Sequence, residues 1–123
     1  MANKVPSILS VSYDEALLRT RRWILETVGF KVTSAFGFAQ ATTHLQANRF
    51  DLVIIGHSIP REDKEALLKI VKAHQHSRIL SLRRAGDLPL TDVDDSIDAF
   101  EGPEVLISAV RKLLNTEAAP EST

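Results

Sequence analysis

The sequence predicts a single α/β domain built on a parallel β-sheet with helices on both faces, and three observations carry that prediction. Residues 52–55, Leu-Val-Ile-Ile, are wholly apolar between polar ends, as a strand reads when both of its faces are covered. Short apolar runs alternate with helical stripes along the chain, the pattern that joins parallel strands through right-handed crossovers. The length of 123 residues suits one core and is too short for two.

The elements follow in order. Residues 8–11 form the first strand, and Asp14 stands where it can cap the next helix. Over 14–28, Leu17, Ile24 and Val28 share one face with Leu18 and Leu25 beside it, and Gly29 takes the C′ position. Residues 31–36 read as the second strand, and Phe38, Ala41, Thr42 and Leu45 trace a shorter, weaker helical stripe. The third strand, 51–56, leads to a helix over 62–74 that carries Leu67, Leu68, Ile70 and Val71. Residues 79–82 and 97–100 are the fourth and fifth strands. Pro103 suits the first turn of a last helix, whose inner face holds Leu106, Val110, Leu113 and Leu114. Between the last two strands, Gly86, Pro89 and four aspartates make a poor helix. A loop is expected there, with the fourth helix of the pattern shortened or missing. The single domain spans 1–123, with a core at about 5–115 and a small, polar tail at 116–123 that is expected to be flexible.

Composition excludes several classes. A formal net charge of -1 offers no overall attraction to nucleic acid or anionic membrane. Cysteine is absent, so there is neither a disulfide nor a thiolate metal site. Residues 1–7 lack the apolar core of a signal peptide, and no apolar run approaches bilayer length, so a cytoplasmic protein is expected.

Three segments carry a family resemblance: Ile-Leu-Ser-Val-Ser-Tyr-Asp-Glu-Ala-Leu-Leu at 8–18, Asp-Leu-Val-Ile-Ile-Gly-His-Ser-Ile-Pro at 51–60, and Pro-Glu-Val-Leu-Ile-Ser-Ala-Val-Arg-Lys-Leu-Leu at 103–114. In this order and spacing they resemble a bacterial response-regulator receiver domain, over roughly residues 5–115. The resemblance implies a flavodoxin-like three-layer sandwich with strand order 2-1-3-4-5. Receivers phosphorylate an aspartate at the end of the third strand, using Mg²⁺ held by an acidic pair after the first strand. A Thr or Ser after the fourth strand and a Lys after the fifth bind the phosphoryl group. Carried onto this sequence, the acceptor falls on Gly56, the acidic pair on Ser12 and Tyr13, and the lysine near Ala99. Phe100 follows where the family prefers proline. The hydroxyl position is Ser81 or, in an alternative register, Arg83.

These replacements are chemically consistent with one another. Mg²⁺ wants hard, preferably anionic oxygens, which neutral Ser12 and Tyr13 do not supply, and Asp14 alone would be a feeble site. Glycine offers no nucleophile. The resemblance therefore implies a degenerate pseudo-receiver, not an enzyme, with no catalytic residue, metal or cofactor.

Other residues invite chemistry. His57 and Ser58, with Asp14 or Asp63, can be imagined as base and nucleophile, but neither an oxyanion loop nor a nucleophile elbow is present. A turn at Pro60 with polar residues facing water is the plainer account. Arg83 and Arg84 could hold a small anion; pairing with Asp87, Asp92 or Asp94 is the plainer reading. His44, His74 and His76 fall short of three convergent metal ligands. Arg19, Arg21 and Arg22 flank Trp23 in a pattern that can bind nucleic acid, yet Glu15 and Glu26 at i−4 and i+4 favour a solvated, paired face.

The leading expectation is a stand-alone signalling module that docks another signalling protein, or itself as a homodimer, and binds neither nucleic acid nor membrane. Its expected surface is Val105, Ser108, Arg111 and Lys112 with the 83–96 loop. A second expectation is a small-anion or metabolite sensor using Ser12, Tyr13, His57, Ser81 and Arg83. A third is an ordinary phosphorelay receiver.

Overall fold

The computed structural model of the protein describes residues 5–115, and the tail expected at 116–123 lies outside the described residues. The elements run β1 (Ser7–Ser12), α1 (Glu15–Thr27), β2 (Lys31–Phe36), α2 (Gly37–Ala47), β3 (Leu52–Ile55), α3 (Arg61–His74), β4 (Arg78–Arg83), β5 (Asp95–Asp98) and α4 (Pro103–Leu114). The five strands pair in parallel in the order β2-β1-β3-β4-β5. Expected fold class and strand order are both observed: a flavodoxin-like three-layer sandwich.

The continuous apolar run of β3 is explained by its central place. Val53 and Ile55 join Leu9, Val11 and Ile79 in a core with Leu45 of α2 and Leu67 and Val71 of α3. Leu52 and Ile54 join Ile8, Leu80 and Leu82 in a second core with Leu25 of α1 and Leu106 and Val110 of α4. Alternate residues of one strand thus enter opposite cores, so no position is left for a polar residue. Asp14 caps α1, its Oδ1 accepting from Leu17 N at 3.1 Å. Gly29, at φ +101°, supplies the left-handed turn after it.

Two local expectations are corrected. On α1 the fully buried line is Leu18, Arg21 and Leu25, while Leu17, Ile24 and Val28 are only half-buried. The fifth strand begins at Asp95, two residues before the expected 97, and ends at Asp98, so Ala99 and Phe100 belong to the following turn. The register explains the shift: Ile79 N donates to Asp94 Oδ2 at 2.7 Å while Asp94 N donates to Ile79 O at 2.9 Å, drawing the chain onto β4 early. An edge strand tolerates aspartates that a central one would not. On α3, Lys64 joins Leu67, Leu68 and Val71 as a buried residue.

Between β4 and β5 no helix forms, as expected. The loop instead drops Leu90 into the core beside α3, and Arg61 donates from Nη1 to Leu88 O (3.1 Å) and from Nη2 to Pro89 O (3.4 Å). Gln75, just past α3, ties the layers together. Its Nε2 donates to Leu45 O (2.9 Å) and Asn48 O (2.8 Å), and its Oε1 accepts from Phe50 N (3.1 Å).

Candidate functional site

At the carboxyl edge of the sheet, Gly56 continues β3 and donates from its N–H to Val11 O at 2.9 Å. A Cβ at this position would lie 2.8 Å from Val11 O, 3.1 Å from Arg21 Nη1 and 3.3 Å from Ser12 Cβ. The position that resembles a receiver's acceptor is therefore occupied from the side by a guanidinium. Arg21 is only 4% exposed, and neither Nη1 nor Nη2 has a hydrogen-bond partner among the described residues. Its burial lowers its pKa from the ordinary value, with the charge of Asp14 pulling the other way. Arg21 was expected on a solvated, paired face with Arg19 and Arg22. Arg19 and Arg22 are exposed as expected, and Arg22 bonds Glu26 at 3.1 Å. The helical period is the reason: residue 21 falls between Leu18 and Leu25 on the stripe that faces the sheet.

Ser12 and Tyr13, expected at the acidic-pair positions, serve as a latch. Ser12 Oγ accepts from Asp14 N at 2.9 Å and shares a 2.9 Å bond with Ser58 Oγ, which also accepts from Tyr13 N at 2.9 Å. Tyr13 reaches sideways: its hydroxyl donates to Asp63 Oδ2 (2.9 Å) and accepts from Phe38 N (3.3 Å), and its ring meets Phe36 edge-on at 5.9 Å. A Cβ on Gly37, at φ +87°, would come within 2.5 Å of Tyr13 Cε1, so glycine admits the ring there. The imagined hydrolytic set is not assembled: Ser58 bonds Ser12, Asp63 bonds Tyr13, and Asp14 caps α1.

His57 turns the other way and lays its ring against Phe100 at a centroid distance of 5.0 Å, its Nδ1 without a partner among the described residues. Burial is the main cause that lowers its pKa below 6.5; the charges of Arg21, Arg84 and Lys64 add to this, and Asp87 opposes it. Lys64, which the sequence reading passed over, is only 8% exposed, and its pKa too is lowered, first by burial. Its signal was present, since Lys64 stands at helical spacing from Leu67, Leu68 and Val71.

Both residues weighed for the hydroxyl position are engaged with neighbouring strands. Ser81 is buried level with Ile55 of β3, and Arg83 Nε donates to Ser96 Oγ at 2.9 Å. Arg84 contributes its backbone N–H to Asp87 Oδ2 at 2.9 Å, and Asp94 pairs with Arg78 at 3.5 Å. The expected pairing of Arg83 and Arg84 with the loop aspartates therefore reduces to one backbone contact. Ala99, Phe100 and Asp98 line, with Leu17, Arg21 and Leu106, a cleft of about 200 Å³ between α1 and α4. On α4, Ser108 and Lys112 are exposed and Val105 and Arg111 half-buried. Trp23 is 71% exposed on α1. Among the described residues, His44, His74 and His76 are part of no cluster of three or more potential metal ligands, and no helix is long and apolar enough to cross a membrane.

No protein-family model and no curated protein matches the sequence. Solved structures do. The chain is similar to a CheY-like response regulator receiver domain from Methanospirillum hungatei (23% identity, TM-score 0.78), covering 94% of this chain and 99% of that one. A CheY-like receiver domain from Methylobacillus flagellatus matches at 19% identity and TM-score 0.78, covering 89% and 99%. The Thermotoga maritima response regulator TrrA, solved in complex with Mg²⁺ and BeF, matches at 19% identity and TM-score 0.79, covering 89% and 100%. This chain has the fold of the CheY-like response regulator receiver domains.

Proposed function

We propose that this domain is a pseudo-receiver: a signal-transduction module that works by protein–protein contact and without aspartyl phosphorylation. One observation supports it above the others. The acceptor position is Gly56, and the guanidinium of Arg21 lies 3.1 Å from where its side chain would begin. Phosphoryl transfer to a receiver needs a carboxylate nucleophile and a metal to neutralise the incoming charge. Here the nucleophile is absent, the acidic-pair positions are a serine and a tyrosine engaged in a latch, and a fixed cation occupies the crevice. The TrrA structure holds Mg²⁺ and BeF; a site with this charge pattern would repel Mg²⁺.

On this reading the domain acts in the cytoplasm as a non-enzymatic partner of another signalling protein or of a second copy of itself. Contact falls on Val105, Ser108, Arg111 and Lys112 with the loop after β4. The test is incubation with acetyl phosphate and Mg²⁺, followed by intact-mass measurement. No phosphoryl adduct is expected; an acid-labile adduct in the wild-type chain would refute the proposal. Gly56→Asp alone is also expected to stay unmodified, because Ser12 and Tyr13 still offer Mg²⁺ no carboxylate.

A further inference from the structure

Arg21 poses a problem that the signalling reading leaves open. A guanidinium carries five donors and cannot be deprotonated in a protein, so burying it with both Nη atoms unpartnered is costly. Asp14 caps a helix and is exposed, and Asp87 accepts from the Arg84 backbone, so neither is a buried counter-ion. Sites with uncompensated charge of one sign are where proteins take ligands of the other.

We propose that Arg21, together with His57 and the Ser12–Ser58 hydroxyl pair, forms a non-covalent binding site for a small free oxyanion of the size and charge of inorganic phosphate. The planar fork of Arg21 matches two oxygens of such an ion. The Ser12–Ser58 pair adds a donor: one hydroxyl donates to the other, which leaves one proton of the pair to give outward. Arg21 and Phe100 also line the neighbouring cleft of about 200 Å³, which admits a small ion and is too small for a nucleotide; the Asp98 carboxylate on its wall is the opposing charge there. Phe100, 64% exposed and resting on His57, is the outer wall, and it can swing into solvent with little loss of burial. The proposal shares its crevice with the pseudo-receiver reading and supplies that reading with a reversible input.

The experiment is titration of the ¹⁵N-labelled protein with sodium phosphate and with sodium sulfate, against sodium chloride at matched ionic strength. Saturable shifts are expected at Ser12, Gly56, His57 and the Arg21 side chain with phosphate, and none with chloride. Arg21→Met should weaken the affinity about tenfold or more, as loss of a charge-assisted bidentate contact requires. Arg22→Met, on the solvated side of the same helix, should not. If Arg21→Met loses its dispersed spectrum, Ser58→Ala is read in its place, with weakening again expected. Absence of saturation with phosphate, or equal affinity in the variant that is read, overturns the site. Intact mass after acetyl phosphate treatment separates this from the reading above: a covalent adduct sinks the pseudo-receiver and leaves the titration result standing.

Discussion

Replacing Arg21 with methionine should make the protein more stable. Methionine retains an unbranched stem on the α1 stripe with Leu18 and Leu25 and removes a charge that is 4% exposed and unpartnered. The effective penalty for a buried ion is several kcal/mol after relaxation. Against it stands the attraction of exposed Asp14, which solvent screens to about 1 kcal/mol. The space left by the guanidinium costs roughly another 1 kcal/mol. The expected net gain is ~1–3 kcal/mol, or a rise in Tm of roughly 3–15 °C for a domain of this size. Urea and thermal denaturation in phosphate-free buffer measure it. Phosphate adds a second reading, because at a hundredfold excess over the wild-type Kd it should stabilise the wild-type protein by about 2.7 kcal/mol and a variant of tenfold weaker affinity by only about 1.4 kcal/mol. The two curves should therefore converge. A variant less stable than wild type in phosphate-free buffer by about 1 kcal/mol or more would refute the reasoning, since the guanidinium would then be a net stabiliser.

Gly37→Ala should cost about 2–4 kcal/mol, part from a left-handed backbone and part from overlap with the Tyr13 ring. In a Tyr13→Ala background only the backbone part, about 1–2 kcal/mol, should remain, and equal costs in the two backgrounds would clear the ring. His57, followed by its ring Cε1–H resonance, should titrate below 6.5, the reverse of a histidine that has gained an anionic partner. The unfolded chain then binds the extra proton first, so stability falls as pH drops below 6.5 and is regained above it. The groups acting on the ring are Arg21, Arg84 and Lys64, which lower its pKa, and Asp87, which raises it; Arg84→Ser should move the titration upward. Gln75→Met should lose about 2–4 kcal/mol in urea denaturation, because three backbone groups around α2 and β3 lose their partner. A loss under about 1 kcal/mol would mean those groups find partners elsewhere.

Much of the fold was legible because periodicity reports on burial, and burial decides these elements. The run at 52–55 could only be a strand covered twice, and Asp14 and Gly29 marked the ends of α1 through capping chemistry that acts within four residues. Where an element is held by contacts across the sheet, local reading slipped. Residues 97–100 looked like the strand because Ile97, Ala99 and Phe100 are apolar, yet the ladder with β4 recruits Asp95 and Ser96, and leaves Phe100 to cover His57. Arg21 was placed on a solvated face, and Lys64 passed over, for a related reason. A charged residue on an apolar stripe is ordinarily placed in water, and only the packed sheet reveals that no water-facing position remains for it.

The amino-acid order by itself determined the alternation of strands and helices, the absence of a helix between the last two strands and the absence of carboxylates at positions 12, 13 and 56, because composition and period act locally. Which cation faces Gly56 was decided only by the tertiary structure. Arg21 and Gly56 are far apart in the chain, and the 3.1 Å between Arg21 Nη1 and a Cβ at position 56 exists because α1 packs on β2 and β1 and β3 is paired beside β1. An electrostatic field depends on distances in space, and those are settled only when the layers close.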